Sequence, residues 1–352
     1  VEKAQYNGPL MFVIDHGNGQ VKAKSSKREI VAKSAYAKAS AVGVDSYGDG
    51  KDEVATFISN IDRDKEYVWG TGVVDAVDHK DLQDSYTLQD RYSQKEYQLL
   101  TDFILAELAS DFDEDVISVH VITGIPSEEH GTSAQQSLEK VFNGSVHTVR
   151  RNGKDHIIKV EKVTVLPQSA GALFVSIFED RRDELAKAYV GVIDIGSGTA
   201  VGDGYNRLKR QPNDVFTMRE GMNDVYSAVR RKLVADNPNI RATVRSIEKT
   251  VTDPNYSGKY VQTSKVGADI GPIVDDAINE YADRLVNFIT SQWPDRTKFE
   301  TILVAGGGAA LVGKALSKRL DVDVLTDPAL ANLRGFYTFG DRKATNQPSK
   351  AK

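Results

Sequence analysis

The hydrophobic pattern divides the chain into alternating strand and helix segments. Phe12-Val-Ile-Asp15 is an apolar, β-prone run closed by a carboxylate. After the turn Gly17-Asn-Gly19, Gln20–Ala23 alternates like a second strand. From Ile30 to about Asp90 the sequence is polar and reads as irregular, with strand-like islands at "TFISNI" and "EYVWG". Leu100, Phe103, Ile104 and Leu108 have helical spacing and predict a helix over Tyr92 to Leu108. "ISVHVITGIP" predicts a buried strand stopped by Gly124 and Pro126. Beyond a Gln-rich helical stretch, "NGS" and "RNGK" mark turns between short strands. "KVTVLPQSAGALFVSIF" reads as a strand, a break at Pro167 and a helix opening on small residues.

Val190–Ile195 begins a second strand series. A polar insertion follows from about Asn206 to Lys265, within which "GMNDVYSAVRRKL" is a turn leading into a helix. Gly267–Ile289 predicts the clearest helix: Ile270, Val274, Ala277, Tyr281 and Leu285 share one face, with Pro272 in the first turn. "TILVAGGGAALVGKAL" is strand, glycine turn, helix, and the closing "DRKATNQPSKAK" reads as disordered.

The chain has 352 residues, enough for two domains. Its net charge of −5 argues against a general nucleic-acid binder, so no direct nucleic-acid contact is expected. The absence of cysteine excludes disulfides, Cys-ligated zinc and thiolate catalysis, and fits a reducing compartment. No apolar run is long enough to span a bilayer, so the expectation is a cytoplasmic α/β protein with no membrane partner.

The two strand series begin alike. Val13-Ile-Asp15-His-Gly-Asn-Gly19 matches Val192-Ile-Asp194-Ile-Gly-Ser-Gly198, 179 residues later (194 − 15), about half the chain. That spacing points to a duplicated fold. Each copy puts a carboxylate at a strand end, then amides in a turn open enough for an anion to approach. Either turn alone reads equally well as an ordinary tight hairpin. The pair, with the third glycine turn at Gly306–Gly308, points to a nucleotide site whose aspartates hold a water-rich Mg²⁺. A dinucleotide fold needs a helix after the glycines, but "QVKAKS" follows. Gly308 to Ala315 nearly spells a P-loop, yet Ala315 stands where a metal-binding hydroxyl belongs; Lys314 is expected to be a solvated helix residue.

With these residues in place, the chain resembles the actin fold superfamily. "IDHGNGQVKA" is similar to its first phosphate motif, "IDIGSGT" to its second and "LVAGGGAALVG" to its adenosine motif. "YVWG", "HVITGIPSEEH", "VTVLPQSAGALF" and "ANLRGFYTFG" follow in the order seen in plasmid-segregation actins of the ParM/StbA type and archaeal actin-like proteins. The resemblance implies an α/β actin-like fold of two duplicated domains with a nucleotide cleft between them. Domain I would span 1–188, with an inserted subdomain at about 30–92 and a C-terminal helix at about 330–345 packing back on it. Domain II would span 189–330, with an insertion at about 206–265.

The resemblance also implies function: an ATPase, with GTP as an alternative nucleotide, forming homopolymer filaments that disassemble after hydrolysis. In partition systems of this kind a DNA-bound adaptor protein links filament ends to plasmid DNA. By resemblance, Asp15 and Asp194 organise Mg²⁺ through water, and Gly17, Asn18, Gly19, Gly196, Ser197, Gly198 and Thr199 bind the phosphates. Lys22 matches a phosphate-contacting basic residue, or is a plain alternating strand residue. Gln168 matches the group that positions the attacking water. Gly306, Gly307 and Gly308 would let the base lie against the backbone. Asn223 and Asp224 are ribose candidates or simple N-caps. Where relatives carry a second water-orienting residue this chain has Val201, so hydrolysis either leans on Gln168 or recruits Asp203. His16, inside the first turn, is expected to face solvent. A small-molecule kinase on the same fold, which would need an acceptor pocket and base, and a cell-shape or division actin remain alternatives.

Overall fold

In the computed structural model the residues described are 9–42, 54–85 and 90–345. The chain separates into two compact units, Val1–Phe174 with Asn332–Lys352, and Val175–Ala331.

The first unit is built on a sheet of ten strands among the described residues: β1 (Leu10–His16), β2 (Gln20–Lys24), β3 (Glu29–Lys33), β4 (Ala35–Lys38), β5 (Ala55–Ser59), β6 (Tyr67–Trp69), β7 (Gln83–Asp84), β8 (Val116–Ile125), β9 (His147–Arg151) and β10 (Lys154–Pro167). Their order is β3-β2-β1-β8-β10-β9-β5-β6-β4-β7. In the stretch from Ile30 to Asp90, expected to be irregular apart from two strand-like islands, β5 and β6 fall on those islands, and β3, β4 and β7 are additional strands. In β3, Ile30 and Ala32 are buried while Val31 faces out, a period of two carried by small residues. Helix α1 (Val73–Ala76) is a single turn, and α2 (Lys95–Ala109) is apolar on nearly every face and buried to match. Phe103 of α2 stacks on Phe57 at 4.8 Å and meets Tyr36 edge-on at 5.5 Å. The charged residues of α2 that go inside are paired: Glu107 with Arg28 at 2.8 Å and Arg151 at 2.6 Å, and Asp102 with His147 at 2.6 Å. Helix α3 (Ser133–Asn143) is capped by the Thr132 hydroxyl, and the "RNGK" turn carries Asn152 and Gly153 at φ of 47° and 82°.

Helix α4 (Ala170–Ser176) leads out of this unit, followed by α5 (Arg182–Leu185). The second unit has a five-stranded sheet ordered β13-β12-β11-β16-β17. It comprises β11 (Tyr189–Ile195), β12 (Ala200–Asn206), β13 (Lys209–Met218), β16 (Thr301–Ala305) and β17 (Asp323–Val324), with β14 (Lys259–Thr263) and β15 (Val266–Asp269) forming a separate hairpin. Its helices are α6 (Met222–Asp236), α7 (Val244–Val251), α8 (Gly271–Gln292) and α9 (Ala309–Ser317). Helix α8 starts at Gly271, not Gly267, because Val266–Asp269 is drawn into pairing with Lys259–Thr263. Helix α9 runs straight through the P-loop look-alike, with Lys314 exposed. The last helix, α10 (Ala331–Thr345), rejoins the first unit, where Phe339 stacks on Phe174 at 4.8 Å and an added Cβ at Gly171 would lie 2.6 Å from the Asn332 carbonyl. Asp341 to Thr345, expected to be disordered, are helical; the rest of that tail lies outside the described residues.

The two sheets repeat one plan. In each, three antiparallel strands end on a strand (β1 or β11) that pairs in parallel with the next (β8 or β16). A further parallel strand, β10 or β17, follows. The aspartates of the two glycine motifs occupy the same place, the last residue but one of a seven-residue strand.

Candidate functional site

Because β1, β8 and β10 run parallel, their carboxyl ends share one edge of the first sheet, bringing the Asp15–Gly19 turn and Gln168 to that edge. In α/β sheets this is the edge where ligands bind. Gln168 follows Pro167, the last residue of β10; its main-chain N–H donates to the Ile125 carbonyl at 2.9 Å and its carbonyl accepts from Gly171 at 3.3 Å. Asp15 lies directly across from Lys22, so both side chains are on one face and Lys22 Nζ is 3.8 Å from the carboxylate. Asp15 is only 4% exposed. Burial pushes its carboxyl up, the charges of Lys22 and Arg91 pull it back, and burial wins.

The turn is held from behind by side chains distant in sequence. Arg91 Nη2 donates to the carbonyls of His16 (2.6 Å) and Gly17 (3.2 Å), and Ser34 Oγ donates to Gly17 O at 2.5 Å. The Arg91 guanidinium lies over the Tyr97 ring at 4.9 Å, and Tyr97 stacks on His16 at 4.0 Å. His16 does not face solvent: it is 6% exposed, and its Nε2 is 3.1 Å from Ser85 Oγ. As the last residue of β1 it points at α2, and burial together with Arg91 holds its pKa well below the usual imidazole value. Within the turn, Asn18 leaves its side-chain oxygen buried without a partner. A phosphate oxygen would satisfy that end of the side chain once the amide is turned to present its NH₂.

In the second unit Asp194, also 4% exposed, ends β11 beside Ile195, and the turn is closed by Gly196 N–H donating to Thr199 O at 2.8 Å. Three carbonyls in a row are held by main-chain donors: Ile195 by Gly308 (2.9 Å), Gly196 by Met222 (3.1 Å) and Ser197 by Asn223 (2.8 Å). The three glycines of the third turn are not equivalent. Gly306 has φ of +91°, and a Cβ there would overlap the Asp194 carboxylate and lie 2.7 Å from Ile195 N. A Cβ on Gly308 would meet Ile195 and Met222, while one on Gly307 would meet nothing. Gly306 and Gly308 are therefore glycines because the Asp194 turn packs against them.

The ribose candidates sit in the first turn of α6 with exposed side chains, and the Asp224 carboxylate accepts from Gly221 N–H at 2.9 Å as a cap does. Asp203 is fully buried and ion-paired with Arg210 at 2.6 Å, opposite Val192 and well back from the turn. Recruitment of Asp203 is therefore set aside. Val201 faces Asp194 in the register at which Lys22 faces Asp15, so the two turns are alike in backbone and unlike in charge.

One buried carboxylate thus stands beside each turn, and among the described residues no three acidic or histidine side chains gather to cage a metal. A single carboxylate at each turn fits Mg²⁺, which keeps several of its waters and can take as few as one carboxylate. Sequence reasoning missed Arg91, Ser34 and Tyr97; the contacts that define them span 74, 17 and 81 residues, and no local pattern announces them.

The family described as Actin like proteins N terminal domain matches residues 13–171, and that described as Archaeal actin homologue MreB-like, C-terminal, matches residues 192–318. No curated protein matches the sequence. Among solved structures, the apo ParM protein of pSK41 is 24% identical with a TM-score of 0.73, the alignment covering 96% of this chain and 99% of that one. A 15-stranded ParM filament from Clostridium botulinum gives 21% identity, coverages of 95% and 99%, and a TM-score of 0.79. An archaeal actin homologue in complex with ADP gives 18%, 95% and 99%, and 0.74. These likenesses agree with the duplicated sheet plan in placing the chain on the actin-like α/β fold.

Proposed function

Since the chain belongs to the actin-like proteins, residues 13–171 matching an actin-like N-terminal domain and residues 192–318 an archaeal actin homologue's MreB-like C-terminal domain, we propose that it is an ATP-hydrolysing filament protein. Each unit contributes one Asp-x-Gly-x-Gly turn to nucleotide binding. The observation that carries this reading is the repetition of the turn: same strand position, same backbone and a buried carboxylate each time, at the ligand-binding edge of the first sheet and at the matching strand end of the second. Amides of residues 17–19 and 197–199 take the phosphates, the Gly196 amide being spent on closing the second turn, with Lys22 adding a point charge. Asp15 and Asp194 would hold Mg²⁺ through water, and the ion would supply positive charge to offset that of the phosphates. Gln168 orients the attacking water; phosphoryl transfer asks for placement and charge neutralisation more than covalent help, so a neutral amide suffices. Gly307 offers open backbone for the base.

Filament formation rests on the fold, which a solved ParM filament shares. Disassembly after hydrolysis and plasmid segregation through a DNA-bound adaptor extend the same likeness. Sedimentation on adding Mg-ATP, Mg-GTP or Mg-ADP, read beside phosphate release, tests the reading and ranks the nucleotides. Phosphate release that depends on a sugar-like acceptor, without sedimentation, would replace it with a kinase.

Two variants test the assigned chemistry. Gln168→Ala is expected to bind ATP as the parent does, to slow phosphate release by ~100-fold and to give longer-lived filaments. Unchanged release would remove Gln168 from the mechanism. Asp15→Ala is expected to weaken nucleotide binding with Mg²⁺ present and to match the parent without it; calorimetry under both conditions decides. Equal loss in both would give Asp15 a structural role only.

A further inference from the structure

A trans peptide is planar, so its N–H points opposite to its C=O. Whatever holds a carbonyl on one side of a turn therefore aims the next residue's amide at the other side. In the second unit the Gly196 and Ser197 carbonyls are held by the amides of Met222 and Asn223, at the start of the fifteen-residue helix α6. The amides of Ser197 and Gly198 are thereby turned away from that helix, free to face an anion. The first unit has the same backbone turn, but here the donors to the corresponding carbonyl, Gly17, are two side chains: Arg91 Nη2 at 3.2 Å and Ser34 Oγ at 2.5 Å.

We propose that Arg91 is the positioning residue of the first phosphate turn. It holds the Gly17 carbonyl back so that the Asn18 amide faces the phosphate, the task that a helix N-terminus performs in the second turn. This rests on the reading of both turns as phosphate-binding. Three features fit Arg91 for it. Its Nη2 bridges two successive carbonyls, His16 and Gly17. Its plane is set by the Tyr97 ring, itself stacked on His16, so the guanidinium, the ring and the turn form one layered unit. Its charge also acts on Asp15, which leaves the turn less negative than its buried aspartate alone would make it. A lysine would keep the charge but lose the flat fork.

The test uses the full chain and measures nucleotide affinity together with hydrogen–deuterium exchange at saturating Mg-ADP. In the parent, Mg-ADP protects the Asn18 amide and those of Ser197 and Gly198. Arg91→Ala is expected to weaken Mg-ADP by about tenfold to a hundredfold, the size of a lost hydrogen bond to a charged group. At saturation it should leave Ser197 and Gly198 protected and Asn18 unprotected, a separation that general destabilisation would not produce. Arg91→Lys should fall between the two. Ser34→Ala, which removes the other donor to the same carbonyl, should show the same selective loss to a smaller degree and serves if Arg91→Ala does not fold. Full Asn18 protection in either alanine variant, with affinity unchanged, overturns the assignment while leaving the nucleotide reading intact. A parent protein that binds no nucleotide overturns both.

Discussion

Gly306→Ala is expected to cost about 2–5 kcal/mol of folding stability, while Gly307→Ala, one residue further on, changes it by no more than about 0.5 kcal/mol. The first figure has two parts. An alanine at φ of +91° bears the left-handed penalty of roughly 1–2 kcal/mol. Its methyl must also displace the buried Asp194 carboxylate and the Ile195 backbone, an overpacking cost of about 1–3 kcal/mol. Gly307 is exposed and a methyl there meets nothing within 4 Å, so neither part applies. The pair separates architecture from ligand binding. Gly306→Ala should lower the urea midpoint of the second unit and, by moving Asp194, abolish Mg-dependent nucleotide binding. Gly307→Ala should leave the midpoint alone and weaken only the nucleotide, if the base lies against it. A Gly306→Ala protein as stable as the parent would show that the Asp194 turn and the Gly306 turn do not depend on each other.

The same glycines show what a sequence discloses and what it withholds. An apolar run that stops at an aspartate, then glycines, is visible in the letters, and its recurrence 179 residues later shows the duplicated plan of the two sheets. Asn152-Gly153 likewise announces its turn through the two residue types that tolerate positive φ. Where the reading failed, the deciding partner was far away in sequence or the signal was carried by small residues. Strands β3 and β4 bury Ala32, Ala35 and Ala37, which have little strand preference of their own and take their place from neighbours in the sheet. Val266–Asp269 fits a helical face as well as a strand until Lys259–Thr263 is available to pair with it. His16 reads from the letters as part of the glycine turn and so as solvent-facing, but it is the last residue of β1 and Tyr97, 81 residues on, covers it. Letters locate the two glycine turns; tertiary contacts decide what stiffens them.

Asp102→Ala is expected to cost about 3–5 kcal/mol, because it breaks a buried ion pair from one side only. Both carboxylate oxygens of Asp102 are used, one by His147 Nδ1 at 2.6 Å and the other by Ser59 Oγ. His147 Nε2 is 2.8 Å from the Phe142 carbonyl, so both ring nitrogens meet acceptors and both are donors, which favours the imidazolium. Burial pulls the His147 pKa down, but the hydrogen bond and charge of Asp102, helped by Phe142, outweigh it and the pKa is raised. A raised folded pKa gives stability that is complete below the unfolded value of about 6.5 and is lost as pH rises through the folded value. His16 works with the opposite sign: held neutral by burial and by Arg91, it gives stability that is present above about pH 6.5 and lost as pH falls toward its depressed folded value. In the parent protein the two slopes have opposite sign and lie on either side of about pH 6.5, His147 above it and His16 below, and variants remove them one at a time. Urea unfolding from pH 5 to 8.5 should show Asp102→Ala losing the alkaline decline that His147 imposes. His16→Phe, which keeps an aromatic face for Tyr97, should lose the share of the acid decline that His16 imposes, while His120 and His156, also held below the ordinary imidazole value by burial, keep theirs. The double variant Asp102→Ala with His147→Ala should cost less than the sum of its parts, since each single change strands the other's partner. An Asp102→Ala loss below about 1 kcal/mol, or a parent His147 that titrates at its ordinary value by NMR, would mean that the pair is not the buried charge couple its geometry describes.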